Sequence, residues 1–165
     1  MNCIILIGMP GAGKSTVGVL LAKALGLDFI DTDLIIQRAE GRTLQKIIDT
    51  DGLDRFIETE DRIVAGTFAE NSVIATGGSV IFGESAMNNL RRLGRIVYLR
   101  ASFETVAARI SNISTRGVAM NPGQDLRGVY DERCPLYEKY ADITVDVDCG
   151  SVEASVEEVI KALAK

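Results

Sequence analysis

Histidine is absent from the 165-residue sequence, and cysteine occurs only three times, at positions 3, 134 and 149. Without histidine, zinc sites of the usual spacing and acid–base catalysis by histidine are excluded. An odd number of widely spaced cysteines excludes a disulfide framework and favours a reducing compartment. We therefore expect a cytoplasmic protein.

Long apolar stretches and runs of basic residues are missing as well. No apolar run approaches the roughly 20 residues of a membrane-spanning helix, and a strand that begins at Cys3 leaves no room for a signal peptide. A net charge of −5 without a basic run argues against a nucleic-acid surface. We expect one domain, residues 1–165, that acts as a monomer on a small molecule, without a nucleic-acid or membrane partner.

The most informative stretch is GMPGAGKST at residues 8–16, which fits G-x-x-x-x-G-K-[ST]. An apolar run at residues 3–7 predicts a buried strand before it, and residues 15–25 predict a helix after it. Glycines at 8, 11 and 13 can adopt positive φ, so that backbone N–H groups and the helix N-terminus face a phosphate chain. Unless the match is an accidental glycine-rich turn, it predicts a nucleoside triphosphate site.

Within this loop, Lys14 is predicted to bridge the β- and γ-phosphates, and the Ser15 hydroxyl is predicted to bind Mg²⁺. The predicted contacts to the nucleotide are Gly11, Ala12, Gly13, Lys14, Ser15 and Thr16.

Strand and helix patterns alternate along the rest of the chain. Strands are predicted at 3–7, 28–31, 72–76, 95–100 and 143–147. Helices are predicted at 15–25, 33–39, 44–48, 53–70, 85–93, 103–110, 126–140 (in part, interrupted at Pro135) and 151–165. Residues 111–125 predict a mobile loop. This alternation predicts a three-layer α/β/α fold of the nucleoside monophosphate kinase type, with a five-stranded parallel sheet.

Two carboxylates, Asp31 and Asp33, follow the second predicted strand. They should lie on the same edge of the sheet as the glycine loop, because ligands of open α/β sheets bind beyond the carboxyl ends of strands. Either carboxylate could instead only cap the following helix.

Besides the glycine loop, several segments match one known family, namely FIDTD at 29–33, DG at 51–52 before a helix with Phe56, GG at 77–78, Arg116 in the mobile loop and RCPLY at 133–137. Over nearly its whole length the chain resembles this family, the shikimate kinases. The glycine loop is common to many unrelated proteins, whereas the patterns F-x-D-[TS]-D and R-x-P-L-Y are more specific. The resemblance implies ATP- and Mg²⁺-dependent phosphorylation of shikimate, a step of aromatic amino acid biosynthesis.

On the nucleotide side, the resemblance implies that Lys14 holds phosphates while Ser15 and, through water, Asp31 hold Mg²⁺. It also implies that Arg116 closes onto the transferring phosphate and that Arg109 lies against adenine. For Arg116 the alternative is a solvated charge on the loop, and for Arg109 a surface position at a helix end.

On the acceptor side, the resemblance implies that Asp33 binds the acceptor hydroxyl and acts as its base. Backbone N–H groups of Gly77 and Gly78 would approach the acceptor, and Arg133 would pair with its carboxylate. For Arg133 the alternative is a structural salt bridge at a helix start.

One departure from the family pattern concerns the acceptor. Family members carry an arginine directly after the phenylalanine matching Phe56, and this chain has Ile57. Arg55 should point about 160° away from Ile57 around the helix, and Arg62 is more than a turn distant. Losing one partner of a bidentate pair costs on the order of 2–4 kcal/mol of binding, so Arg133 alone should hold shikimate weakly.

Three further positions bear on this departure. The third family glycine is Ser79, and the proline after the loop arginine is Gly117. Glu60, or else Glu58, could receive an ammonium group in place of the missing arginine. A hydroxy-amino acid such as homoserine is therefore the alternative acceptor to shikimate.

Two other classes are weighed against a small-molecule kinase. A nucleotide-gated regulatory protein would not need Asp33, Arg116 and Arg133 together. A nucleoside monophosphate kinase would add arginines around the acceptor phosphate, and the region of the loop offers only Arg109, Arg116, Arg127 and Arg133.

Overall fold

A computed structural model describes residues 2–111, 118–148 and 150–165. The strands are β1 (Cys3–Ile7), β2 (Asp28–Asp31), β3 (Ser72–Ala75), β4 (Gly94–Arg100) and β5 (Ile143–Asp146). The helices are α1 (Lys14–Leu25), α2 (Thr32–Glu40), α3 (Leu44–Asp51), α4 (Leu53–Ala65), α5 (Glu84–Leu93), α6 (Phe103–Ser111), α7 (Leu126–Tyr140) and α8 (Val152–Leu163), with a short 3-10 turn at Val80–Phe82.

The five strands form one parallel sheet in the order β2-β3-β1-β4-β5. Strand β1 lies at its centre, where Ile5 pairs with Ile74 on one side and Ile96 on the other. All five residues of β1 are buried, which explains its uninterrupted apolar sequence. Since all strands are parallel, their carboxyl ends share one edge, and the glycine loop follows β1 there. The predicted α/β fold with its five-stranded parallel sheet is confirmed.

Helix α4 is shorter than predicted, because it ends at Ala65 and not near residue 70. The side chain of Asn89 in α5 donates hydrogen bonds to the carbonyl oxygens of Val64 (2.9 Å) and Thr67 (2.8 Å). These bonds satisfy backbone acceptors at the end of the helix, which Gly66 follows. Helix α4 therefore ends at a glycine, and a partner 25 residues away in sequence bonds to this end.

Helix α7 runs through Pro135 without a break, so the expected interruption there was wrong. Its buried residues Val129, Arg133 and Tyr137 recur every fourth position and pack along one face. Packing of this face offsets the backbone hydrogen bond that proline cannot make.

Residues 112–117 of the predicted mobile loop, which include Arg116 and Gly117, lie outside the described residues. Cys149 lies outside them as well. Residues 118–125 contain neither helix nor strand. Across the three described ranges, no helix is both long and apolar enough to cross a membrane.

Candidate active site

The glycine loop adopts the conformation expected of a phosphate-binding loop. Gly8, Gly11 and Gly13 have φ angles of 147°, 82° and 92°, as predicted. A side chain on Gly8 would place its Cβ 2.7 Å from the carbonyl oxygen of Leu99, so only glycine fits there. Helix α1 begins at Lys14, directly after the loop, and therefore directs its positive end into it. Of the other predicted contacts, Ala12 is buried and Thr16 is exposed on the first turn.

Lys14 is buried at the base of this loop. Its Nζ donates hydrogen bonds to the carbonyl oxygens of Gly8 (2.8 Å) and Met9 (2.9 Å). Burial lowers the pKa of Lys14 to about 8, although the negative charges of Asp33 and Asp31 act in the opposite direction. The ammonium is thus short of counter-charge, and a phosphate chain in the loop would supply it.

Asp31 contacts two helices, α1 after the glycine loop and α2. Its Oδ2 accepts a hydrogen bond from the Ser15 hydroxyl (2.7 Å), while its Oδ1 accepts one from the backbone N–H of Asp33 (3.0 Å). Asp31 therefore caps α2, as the alternative interpretation had it, and also reaches Ser15. Two hard oxygen donors stand side by side, which is the chemistry that Mg²⁺ prefers.

Asp33 and Glu60 converge on Gly77, beyond the carboxyl end of β3. A Cβ on Gly77 would lie 2.6 Å from Glu60 Oε1 and 2.8 Å from Asp33 Oδ1. Glu60 is only 1% exposed, and its Oε2 accepts a hydrogen bond from the Ser79 hydroxyl at 2.5 Å. Burial raises the pKa of Glu60 to about 7; the hydrogen bond from Ser79 opposes this shift.

Arg133 extends from α7 toward the same loop. It is 3% exposed, and its guanidinium carbon lies 5.4 Å from the ring centre of Phe82. One nitrogen donates to the carbonyl oxygen of Ala119, whereas Nε and NH1 have no hydrogen-bond partner among the described residues. A Cβ on Gly78 would lie 3.2 Å from NH1. No ion pair of Arg133 occurs in the described part of the chain, so the salt-bridge alternative finds no support.

Ile57 and Arg133 line one cavity of about 170 Å³ between α4 and α7. The side chain of Arg55 points away and pairs with Glu58 at 2.9 Å, both largely exposed. Arg62 pairs with Glu40 at 3.2 Å. Neither arginine therefore replaces the missing cation, and Glu60, not Glu58, is the glutamate of the site.

Arg109 lies against the glycine loop. Its NH1 donates to the carbonyl oxygen of Gly11 (3.1 Å) and its NH2 to that of Val147 (3.4 Å). Contact with adenine stays a prediction. Cys134, next to Arg133, has a pKa raised mainly by burial, so its thiol is poorly suited to nucleophilic chemistry.

Two contacts were not anticipated from the sequence. Ser79 was noted only as a departure from glycine, yet its hydroxyl fixes the orientation of Glu60. The hydroxyl of Tyr137 donates to the carbonyl oxygen of Gly78 at 2.5 Å and holds this loop against α7. For the contact of Ser79 with Glu60, the only signal in the sequence was a polar residue at a glycine position. The contact of Tyr137 with Gly78 had no local signal, because it joins residues 59 positions apart.

The raised pKa of Glu60 predicts a pH-dependent stability. Its pKa is about 7 in the folded protein against a reference value of 4.5, so between these values the native state keeps a proton that the unfolded chain has lost. The free energy of unfolding should therefore fall as pH rises through this range, by on the order of 2–3 kcal/mol. Urea unfolding of the protein and of Glu60→Gln at about pH 5 and 7.5 measures this fall. The fall in the free energy of unfolding should be smaller in Glu60→Gln by about 2–3 kcal/mol. Equal falls in the two proteins would contradict the prediction.

Fold and site together define a small P-loop kinase of the nucleoside monophosphate kinase type. A family model for shikimate kinase matches residues 10–164. A shikimate kinase of Pseudomonas paraeruginosa is 40% identical over 165 residues, covering 98% of this chain and 96% of that protein. The chain belongs to the shikimate kinase family, and it is accordingly a phosphotransferase of a family that uses ATP.

Solved structures of the family agree with the fold. Shikimate kinase from Acinetobacter baumannii, in complex with shikimate, matches with a TM-score of 0.89 at 29% identity, over 99% of this chain and 93% of that one. Shikimate kinase from Aquifex aeolicus matches with a TM-score of 0.80 at 32% identity, over 98% and 96% of the two chains.

Proposed function

We propose that this protein transfers the γ-phosphoryl group of ATP to a hydroxyl group of a small carboxylate-bearing acceptor, with shikimate as the first acceptor. The observation that carries this proposal is the buried guanidinium of Arg133. Two of its nitrogens lack a partner among the described residues, and one faces Gly78. Leaving such donors unpaired is costly, and a carboxylate would satisfy them with two parallel hydrogen bonds.

The phosphate side is supported by Lys14 and by the positive-φ glycines of the loop. Ser15 and Asp31 would hold Mg²⁺, which neutralises phosphate charge when bound. Within the described ranges no cluster of three or more acidic or sulfur side chains could hold a metal. The two protein oxygens would therefore act together with phosphates and water, as is usual for Mg²⁺.

The reaction is an in-line displacement. The acceptor hydroxyl oxygen forms a bond to the γ-phosphorus, the bond from this phosphorus to the bridging oxygen breaks, and ADP leaves with that electron pair. Asp33 takes the hydroxyl proton. Lys14 stabilises the charge that develops on the transferring group, and Arg116 is proposed to join it.

The test is an ADP-release assay with ATP, Mg²⁺ and shikimate. Turnover with formation of a phosphorylated acceptor supports the proposal. ADP release that is independent of any acceptor would favour a nucleotide-gated regulatory protein, and release only with nucleoside monophosphates would favour a nucleotide kinase.

Replacing Arg133 with lysine should weaken acceptor binding selectively. Lysine keeps the charge and loses the planar pair of donors, so kcat/KM for shikimate should fall about 10- to 100-fold, mostly through KM. The matched control is Arg127→Lys on the same helix, where the arginine is exposed and pairs with Asp131 at 3.3 Å. Equal effects of the two substitutions would contradict the role of Arg133.

A further inference from the structure

Glu60 presents a buried carboxylate oxygen with no partner in the described part of the chain. The side chain is 1% exposed; Oε2 accepts from Ser79, and Oε1 accepts from nothing described. An unsatisfied buried acceptor is costly, and an ionised one more so. A ligand that donates a hydrogen bond to this oxygen would remove that cost.

Glu60 Oε1 and a carboxylate oxygen of Asp33 both lie close to Gly77. Glu60 Oε1 and Asp33 Oδ1 lie 2.6 Å and 2.8 Å from the same point, the position of a Cβ on Gly77. When Glu60 is ionised, its oxygens only accept hydrogen bonds, and a bound cation would favour this form over the protonated one. Glu60 Oε1 lacks a partner among the described residues, and a positively charged donor such as an ammonium group is the best match to it.

The anion-binding group lies at the next residue of the same loop. Arg133 NH1 is 3.2 Å from the Cβ position of Gly78. Neighbouring Cα atoms are about 3.8 Å apart, so the surface that attracts a cation adjoins the surface that attracts a carboxylate. An amino acid carries both groups on one carbon and matches this arrangement.

Position 57 carries no charge. Ile57 lies about one turn before Glu60 on α4 and lines the cavity with Arg133, so this turn of α4 supplies no cation that would compete for Glu60. The Ser79 hydroxyl takes up only one oxygen of Glu60, and so acts as a positioning group that leaves the other oxygen for a ligand.

We propose that the acceptor pocket also binds and phosphorylates small hydroxy acids that carry an ammonium group, with Glu60 Oε1 receiving the ammonium and Arg133 the carboxylate. This inference rests on the proposed phosphotransferase function and adds a second acceptor class to it. The chemistry is unchanged: the hydroxyl oxygen bonds to the γ-phosphorus of ATP, ADP departs with the bridging oxygen, and Asp33 takes the proton.

The experiment compares two acceptors that differ only in the ammonium group. ADP release from ATP and Mg²⁺ is measured with L-homoserine and with 4-hydroxybutyrate, and with shikimate in parallel. We expect kcat/KM to be at least tenfold higher for L-homoserine than for 4-hydroxybutyrate. A ratio near one would overturn the inference, while turnover of shikimate in the same assay would leave the proposed function standing.

Two variants test which residues cause the preference for L-homoserine over 4-hydroxybutyrate. Glu60→Gln should reduce the ratio of the two acceptors to near one, because the amide has no charge to pair with the ammonium. Ile57→Arg should also reduce it, by placing a competing cation next to Glu60. The control, Glu58→Gln, changes an exposed glutamate of the same helix and should leave the ratio unchanged. A ratio that survives Glu60→Gln would overturn the assignment of Glu60.

If no acceptor is turned over, the proposed function fails, and calorimetry decides the inference separately. L-Homoserine should then bind at least tenfold more tightly than 4-hydroxybutyrate, and equal binding would overturn the inference.

Discussion

Replacing Lys14 with methionine should lower kcat about 1000-fold. Methionine keeps much of the volume of the buried side chain and removes the charge proposed to stabilise the transferring phosphate, a contribution typically worth about 10²- to 10³-fold. The variant should fold, because it also removes an ammonium whose pKa is already lowered by burial. Steady-state ADP release and urea unfolding together measure the two effects.

The control for this substitution is Lys23→Met. Lys23 lies in the last turn of the same helix, α1, and is exposed. Its replacement should leave kcat within about twofold, since exposed charges far from a site contribute little. A small effect of Lys14→Met on kcat would mean that the loop does not act on the transferring phosphate.

Replacing Gly77 with alanine should lower kcat/KM about 100-fold and leave the fold nearly intact. The new Cβ would come within 2.6 Å of Glu60 Oε1 and 2.8 Å of Asp33 Oδ1. These atoms are ends of side chains, so they can move without disturbing the backbone. The displacement falls on the proposed base, where a misplacement of about 1 Å can cost 10²-fold.

The matched control is Gly66→Ala at the end of α4. There φ is −88°, and a Cβ would meet no atom closer than 3.7 Å. This variant should keep full activity and equal or higher stability. Thermal unfolding and ADP release of both variants separate a local effect on the site from a general one, and a large loss of Tm in Gly77→Ala would contradict a purely local effect.

The order of elements could be predicted from the sequence because local signals mark most boundaries. The buried strand β1 consists of five apolar residues, and the left-handed Gly26 ends α1. The end of α4 was predicted too late because Gly66, a local stop signal, was not used, and the Asn89 side chain that bonds to this end comes from another helix. The continuity of α7 depends on packing around Pro135, which local propensity does not contain.

The predictable parts of the site are those whose residues lie in sequence motifs. The conformation of the glycine loop and the contact of Ser15 with Asp31 lie within short segments or at strand ends. The orientation of Glu60 was not predictable, because its partner Ser79 lies 19 residues away and matters only through burial of both groups. The roles proposed for Arg109 and Arg116 stay predictions.

The two sides of this site come from different parts of the chain, which matters for how such proteins diverge. One continuous stretch, residues 8–16, builds the glycine loop, whereas α4, the loop after β3 and α7 jointly build the proposed acceptor side. A substitution at Ile57 or Ser79 should therefore alter the proposed acceptor side and leave the glycine loop untouched. After a gene duplication, one copy can acquire a new acceptor by a few point mutations while its phosphate loop remains under the original selection.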